Sequence, residues 1–186
     1  MQEWDKKRET MRHYDHLAQV YDALYYEEQK AKIEVALDSI KLKQNELILD
    51  VGCGTGLLFQ HLARAAKLVV GIDVSSKILR EARKRTEQLP NIVVIRADAD
   101  YTPFQKQTFA QVFAITLLQN MPNPAETLAE IKRVSKPQST IVVTGLKKKF
   151  APEHFIELLN KAGLKISTLK TNLQLKGCLA ECKNWR

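Results

Sequence analysis

Cysteine is scarce in this sequence: Cys53, Cys178 and Cys182 are the only three. So odd and sparse a set excludes a disulfide scaffold and fits reduced thiols. Cys178 and Cys182 lack the second Cys or His pair that a four-ligand zinc site needs, so no metal is expected. Long apolar runs are missing as well. None approaches the roughly 20 residues that cross a bilayer, and the charged start, 1–8, has no apolar signal core behind it. The expectation is a cytoplasmic protein with no membrane partner. Aromatic residues are few, at 7%, which argues against a stacking platform for single-stranded nucleic acid. No internal repeat, low-complexity tract or appended RNA-binding module is visible.

What is present is an ordinary globular composition, 45% hydrophobic and 27% charged, over 186 residues. That length builds one domain with a proper core and not two. The net charge of +8 has two readings: a polyanionic partner whose phosphates displace counterions, or a merely basic, soluble surface.

The first 45 or so residues read as helical. Leu17, Val20, Tyr21, Leu24 and Tyr25 recur at three- and four-residue spacing between Tyr14 and Ile40, the mark of a helix with one apolar stripe. From Glu46 onward, short Val- and Ile-rich runs alternate with amphipathic stretches. Strands are predicted over 47–51, 67–73, 91–95, 109–117 and 140–144. Helices are predicted over 56–66, from a Ser75 cap to about 88, over 124–134 and over 152–161. Two closing strands, near 165–171 and 175–182, have no helix between them and should pair as a hairpin at the sheet edge. Apolar strands separated by helices call for a parallel sheet covered on both faces. The fold expected is α/β: a Rossmann-like, doubly wound, seven-stranded, mostly parallel sheet with a C-terminal antiparallel hairpin and an N-terminal helical lid. Residues 1–45 would form the lid of the domain and 46–186 its core.

The densest chemical signal is Leu49-Asp50-Val51-Gly52-Cys53-Gly54-Thr55-Gly56, which ends the first strand and opens the next helix. Glycines there let backbone approach a ligand that faces helix N–H groups. The spacing is G-x-G-x-G, with Leu57 where the dinucleotide fingerprint G-x-G-x-x-G has its third glycine. Asp50, just ahead of the loop, suits a cationic ligand end such as the ammonium of a methionine moiety better than a pyrophosphate. Asp73 falls about 20 residues farther on, where a carboxylate can accept two ribose hydroxyls. Asp98 ends the third strand, where a carboxylate can accept from an exocyclic amine such as adenine's. Each acid alone reads equally as a surface residue or a helix cap. Three of them at successive strand ends beside a glycine loop do not.

Together, 49–56, Gly71-Ile72-Asp73-Val74-Ser75 and Arg96-Ala97-Asp98-Ala99 resemble the class I S-adenosylmethionine-dependent methyltransferases. The resemblance runs from about Tyr14 to the end. It implies S-adenosylmethionine as cofactor, with Asp50, Gly52, Cys53, Gly54 and Gly56 around the methionine part. Asp73 would hold the ribose and Asp98 the adenine amine, with Ile72, Val74 and Ala99 beside the ring. The segment from Leu117 to Pro124, which contains Gln119 and Asn120, matches the stretch that borders the transferable methyl in that family. The run from Tyr14 to Asp22 resembles the N-terminal Y-D-x-x-A-x-x-Y-D helix of the ubiquinone/menaquinone-type branch, a lid over the cofactor. The alternative is that Tyr14, Tyr21 and Tyr25 form one packed face.

Methyl transfer from a sulfonium asks mainly for alignment and desolvation, so no catalytic triad is required. The candidates at the reacting centre are Tyr14, Tyr21, Gln119 and Asn120. His13 or His16 is either a base or an ordinary surface residue. The segment Asn120-Met121-Pro122-Asn123 lacks the Asn-Pro-Pro-aromatic run of amine-methylating relatives, and no cysteine nucleophile lies there. Gly145 leads through Lys147, Lys148 and Lys149 straight into the next helix, leaving an open basic mouth. That favours RNA or protein as acceptor over a small molecule, in a monomer or homodimer. A second basic set, Lys77, Arg80, Arg83, Lys84 and Arg85, reads as the solvated face of one helix. A non-catalytic, cofactor-binding partner subunit and a nicotinamide-dependent dehydrogenase are the competing functions.

Overall fold

The computed structural model describes residues 3–171 and 176–185. Its elements run α1 (Glu3–Leu17), α2 (Tyr21–Ser39), β1 (Leu47–Val51), α3 (Phe59–Ala63), β2 (Leu68–Asp73), α4 (Ser76–Thr86) and β3 (Ile92–Arg96). They continue with β4 (Phe109–Ala114), a 3-10 turn (Leu118–Asn120), α5 (Pro124–Val134), β5 (Ser135–Leu146), α6 (Pro152–Lys161), β6 (Leu164–Lys170) and β7 (Gly177–Asn184). The seven strands form one sheet in the order β3-β2-β1-β4-β5-β7-β6. The first five are parallel, and β7 runs antiparallel to both β5 and β6. The α/β fold and the closing hairpin stand as expected. The residue at which the last strand was expected to begin, Leu175, lies outside the described residues.

Alternation along the strands divides the core in two. Leu49, Val51, Val112, Ala114, Ile141 and Val143 face α5 and α6, against Leu128, Ile131, Phe155 and Leu159. Ile48, Val69, Phe113 and Val142 face α2, α3 and α4, against Ile33, Phe59, Leu62 and Leu79. All six residues of β4 are buried. Burying each large side chain of this kind contributes about 1.5–3 kcal/mol. Strand order reverses between β1, which leads to β2, and β4, which leads to β5. In open α/β sheets ligands bind beyond that switch point, at the carboxyl ends of the strands.

Local chemistry sets several element ends. Ser75 caps α4, its hydroxyl accepting from the Ile78 N–H at 3.2 Å. Pro124 and Pro152 sit in the first turns of α5 and α6, where a missing N–H costs nothing. Gly163 follows α6 with a φ of +70°.

The N-terminal segment differs from expectation. It is two helices, separated at Ala18–Val20 by a turn in which the Val20 N–H donates to the Leu17 carbonyl. Two positions of the apolar stripe face solvent, Val20 at 48% and Leu24 at 59% exposed. The polar Gln29 and Lys32 are buried beside Ile33 and Ala36, at 8% and 4%. Both bond the Thr116 side chain at the sheet's carboxyl edge, and Lys32 also bonds Glu28, which makes their burial tolerable.

Candidate active site

A cavity of about 120 Å³ lies along the carboxyl ends of β3, β2, β1 and β4, beneath α1 and α2. The three acids of the sequence pattern are all in its lining, one from each of the first three strand ends. Asp50 is 3% exposed, and burial together with the neighbouring Asp73 pushes its carboxyl up to about 7. Asp73 is also raised by burial, against the pull of backbone N–H donors. It accepts from the Gly54 N–H at 3.1 Å and the Ser75 N–H at 2.9 Å. Asp98 accepts from the Asp100 N–H at 3.0 Å.

The glycines have separate reasons. Gly54 has a φ of +55° and open space where a Cβ would point, so its backbone is bare toward the cavity. A Cβ at Gly52 (φ +72°) would come within 2.9 Å of Leu117 Cδ1. Gly56 (φ +80°) lies outside the cavity lining; a Cβ there would sit 2.5 Å from the Phe59 ring. That glycine permits the close passage of chain over core. Cys53, Val74, Ala99 and Leu117 line the cavity with Gly52 and Gly54.

Of the residues expected at the reacting centre, Tyr14, Tyr21 and Asn120 are brought together. The Asn120 amide donates to the Tyr14 hydroxyl and to the Thr116 carbonyl, both at 2.9 Å. The Tyr14 and Tyr21 rings are 5.9 Å apart, and Tyr25 lies 5.0 Å behind Tyr21. The three tyrosines form one packed face, and its front two members line the cavity. Burial raises both phenols above their ordinary range, so each stays protonated. Gln119 turns away into a separate pocket of about 10 Å³, where its side-chain oxygen is buried without a partner. His13 and His16 are exposed and outside the lining.

The helices α1 and α2 are tied to the sheet edge by charge. Asp15 accepts from the Ser75 hydroxyl at 2.5 Å and the Lys77 N–H at 3.2 Å. Asp22 accepts from the Thr55 hydroxyl at 2.6 Å and the Arg85 guanidinium at 2.5 Å. Arg85, expected on a solvated face, also donates to the Thr55 carbonyl at 3.0 Å. Lys7 is 8% exposed and reaches Asp98 at 2.8 Å and Asp100 at 2.5 Å. Desolvation weighs against its charge, but the two carboxylates outweigh that and raise it.

Four residues carry no mark in the sequence: Gln29 and Thr116, which line the cavity, and Lys32 and Thr144, which bond to Thr116 from behind it. Thr116, just past β4, holds a φ of +60°, a conformation rare for a β-branched residue and costing of order 1–3 kcal/mol. Its surroundings hold it there. The Thr144 hydroxyl accepts from its N–H at 2.7 Å, the Gln29 amide oxygen from its hydroxyl at 2.9 Å, and Lys32 donates to that hydroxyl at 3.1 Å. Only the strained φ, visible once the backbone is known, points to it.

The methyltransferase domain family matches residues 49–143, just over half of the chain. The chain belongs to that family. Malonyl-[acyl-carrier protein] O-methyltransferase of Marinomonas sp. is 31% identical over 149 residues, 79% of this chain and 55% of its own. Demethylmenaquinone methyltransferase of Tropheryma whipplei is 30% identical over 139 residues, 73% of this chain and 58% of its own. The chain thus spans a little over half the length of those two relatives. Among solved structures, a chain of the Haloferax volcanii complex between the Trm112 methyltransferase activator and a methyltransferase shares the fold. Its TM-score is 0.85 at 16% identity, with 93% of this chain and 98% of that one covered.

S-adenosylmethionine, the cofactor of the family, fits this chain on the cavity's own terms. Asp50 and Asp73 are buried carboxylates that no cation offsets among the described residues. A ligand bearing an ammonium and a sulfonium supplies the missing charge. The bare backbone at Gly54 leaves room for it.

Proposed function

We propose that this protein transfers the methyl group of S-adenosylmethionine to an acceptor bound over the tips of β4 and β5. The observation that carries the reading is the row Asp50, Asp73 and Asp98, one acid per strand end along a single cavity. Asp50 faces the cofactor's ammonium and Asp73 accepts its ribose hydroxyls. Asp98, keeping one oxygen on Lys7, accepts the adenine amine. The cofactor supplies an electrophilic methyl on a sulfonium, and transfer is an in-line displacement. The protein aligns the two reactants and keeps water out. In this reading residues 1–45 are a lid held on the 46–186 core by Asp15, Asp22 and Lys7, with Tyr14, Tyr21 and Asn120 bordering the methyl.

The acceptor is a small or carrier-borne group. The relatives named for malonyl-[acyl-carrier protein] and demethylmenaquinone support this over RNA or a protein surface. So does a reacting centre enclosed under α1 and α2. The likeness to a methyltransferase found with an activator favours one further reading, in which a partner subunit stabilises or stimulates this chain.

Calorimetric titration with S-adenosylmethionine and S-adenosylhomocysteine tests the proposal. Micromolar affinity, about −8 kcal/mol, is expected for the wild type and is lost in Asp73→Ala. A wild type that binds neither ligand sinks the reading.

A further inference from the structure

Charge in this chain is sorted along the strands. The carboxyl ends of β1, β2 and β3 carry Asp50, Asp73 and Asp98, and the opposite edge of the same sheet carries lysines. In sheet order, Lys67 precedes β2, Lys43 lies ahead of β1 and Lys106 ahead of β4. Lys136 starts β5, and Lys183 and Lys165 stand at the adjoining ends of β7 and β6. Each of six neighbouring strands thus has one lysine at its foot. With strands about 4.8 Å apart, the row is about 24 Å long. Bonds between the loops hold it together. The Lys67 N–H donates to the Glu46 carbonyl at 2.9 Å, and the Glu46 carboxylate reaches Lys136 at 2.8 Å. The Asn184 amide donates to the Ser135 carbonyl at 2.9 Å and the Lys136 carbonyl at 3.2 Å.

Little at the foot offsets this charge. Lys43, Lys67, Lys106 and Lys165 are exposed and make no ion pair with a carboxylate among the described residues. Glu46 is spent on Lys136, and Glu181 on Lys183 at 3.4 Å. Asp38 and Glu87 end α2 and α4, on one face of the sheet and out of the row. Lys165 and Lys183 are direct partners across β6 and β7, and like charges so placed cost stability unless an anion offsets them. A surface charged only for solubility mixes its signs; here a single sign runs in a line. At the β6 end of the line stands Trp185, 51% exposed, with the Lys165 ammonium 4.8 Å from the centre of its ring. An open indole beside a cation is a place for a second flat ring to stack.

We propose that the foot of the sheet is a track for the phosphate backbone of a single-stranded nucleic acid, with one base stacked on Trp185. A phosphodiester strand repeats its charge at regular intervals along one line, as the lysine row does. Its bases supply the flat partner for the indole; the carboxylates of an acidic protein do not. Each phosphate seated on a lysine releases condensed counterions, which drives binding. Backbone charge and one stacked ring read no base edges, so RNA and DNA strands are held alike and without sequence preference. The strand is not the methyl acceptor. The cleft opens at the other ends of the strands, about 17 Å away along the five residues of β1. A bound strand therefore leaves the cleft free, and the surface serves attachment whatever the cleft methylates.

The test is fluorescence anisotropy of end-labelled strands of oligouridylate and oligothymidylate, about 20 nucleotides long, titrated with the whole chain. Both should bind in about 50 mM salt, and log affinity should fall against log salt with a slope of about −3 to −4, as for five lysines on phosphate. Lys43→Glu, Lys106→Glu and Lys165→Glu combined should weaken binding at least about 30-fold and flatten the slope by about two. Unchanged S-adenosylhomocysteine affinity in that variant shows the fold intact. In Trp4→Phe protein, where Trp185 is the one remaining tryptophan, either strand should quench the emission, and Trp185→Ala should weaken binding by about fivefold or more. A wild type that binds neither strand in about 50 mM salt overturns the proposal, and so does a triple variant that binds as tightly as wild type. Trp185 emission unmoved by the strands, with polyglutamate bound as tightly, overturns it in favour of an acidic protein partner. Displacement of a bound strand by S-adenosylhomocysteine overturns it by placing the strand in the cleft.

Discussion

The two ends of the cleft are assembled from different distances along the chain. At the proposed cofactor end, Asp50, Gly54, Asp73 and Asp98 lie within one stretch of the sheet, each within three residues of a strand end that places it. At the acceptor end, Thr116 is held by Gln29 and Lys32, 87 and 84 residues away in sequence, and by Thr144 from β5. The first end follows from strands and turns alone. The second exists only when α2 is docked on β4 and β5. A site of the first kind tolerates a change of lid; a site of the second kind is remade by it.

Four substitutions sharpen or break that contrast. Asp73→Ala removes the proposed ribose acceptor and the carboxylate that ties Gly54 to Ser75, so cofactor affinity should fall by about 100-fold in calorimetry. A loss under threefold would move the cofactor elsewhere. Gly56→Ala should lower stability by about 2–4 kcal/mol, read in denaturant, because the new methyl meets Phe59 at an unfavourable φ. An unchanged midpoint would contradict the packing described.

Thr116→Gly should cut acceptor kcat/KM about tenfold while cofactor affinity stays level. It relieves the strained φ and removes the side chain whose hydroxyl gathers Gln29 and Lys32. Equal losses at both ends would show that the two are not separable. Arg85→Ala should weaken cofactor binding by about threefold, and the wild-type advantage should shrink with added salt, since the half-exposed Asp22–Arg85 pair is screened.

Asp50 gives the clearest sign. Its carboxyl is raised to about 7 in the folded protein, above the ordinary carboxylate value near 4. Its neutral form therefore favours the folded state of the ligand-free protein at low pH, and that contribution fades as pH rises through about 7. An ammonium ligand prefers the ionised form, so binding below pH 7 expels a proton. Cofactor affinity should climb by up to about tenfold per unit toward pH 7, then level. Titrations in buffers of different ionisation heat count the proton, and Asp50→Asn should abolish it.

Much of the core was legible from sequence because its signals are local. Val- and Ile-rich runs, Ser75 as a cap, and Pro124 and Pro152 at helix starts place α4, α5 and α6 to within a few residues. The three acids are likewise visible at strand ends. The N-terminal region was less so. Its apolar periodicity pointed at Val20 and Leu24, which face solvent, while the buried face carries Gln29 and Lys32. Polar residues are buried only where distant partners satisfy them, and periodicity carries no record of partners. Gln119 and Asn120 illustrate the same limit: neighbours in sequence, they turn into different cavities on a 3-10 turn.

Lys7, Asp15 and Asp22 bond to the rims of the same loops that carry the cofactor acids. In the lid reading proposed above, the spent cofactor leaves past α1 and α2 only once those contacts part, and each re-forms before the next cycle. Turnover in this protein is therefore expected to be timed by the escape of S-adenosylhomocysteine. Dilute product should inhibit strongly, and moderate salt, which loosens the ion pairs, should speed the steady state while leaving the first turnover unchanged.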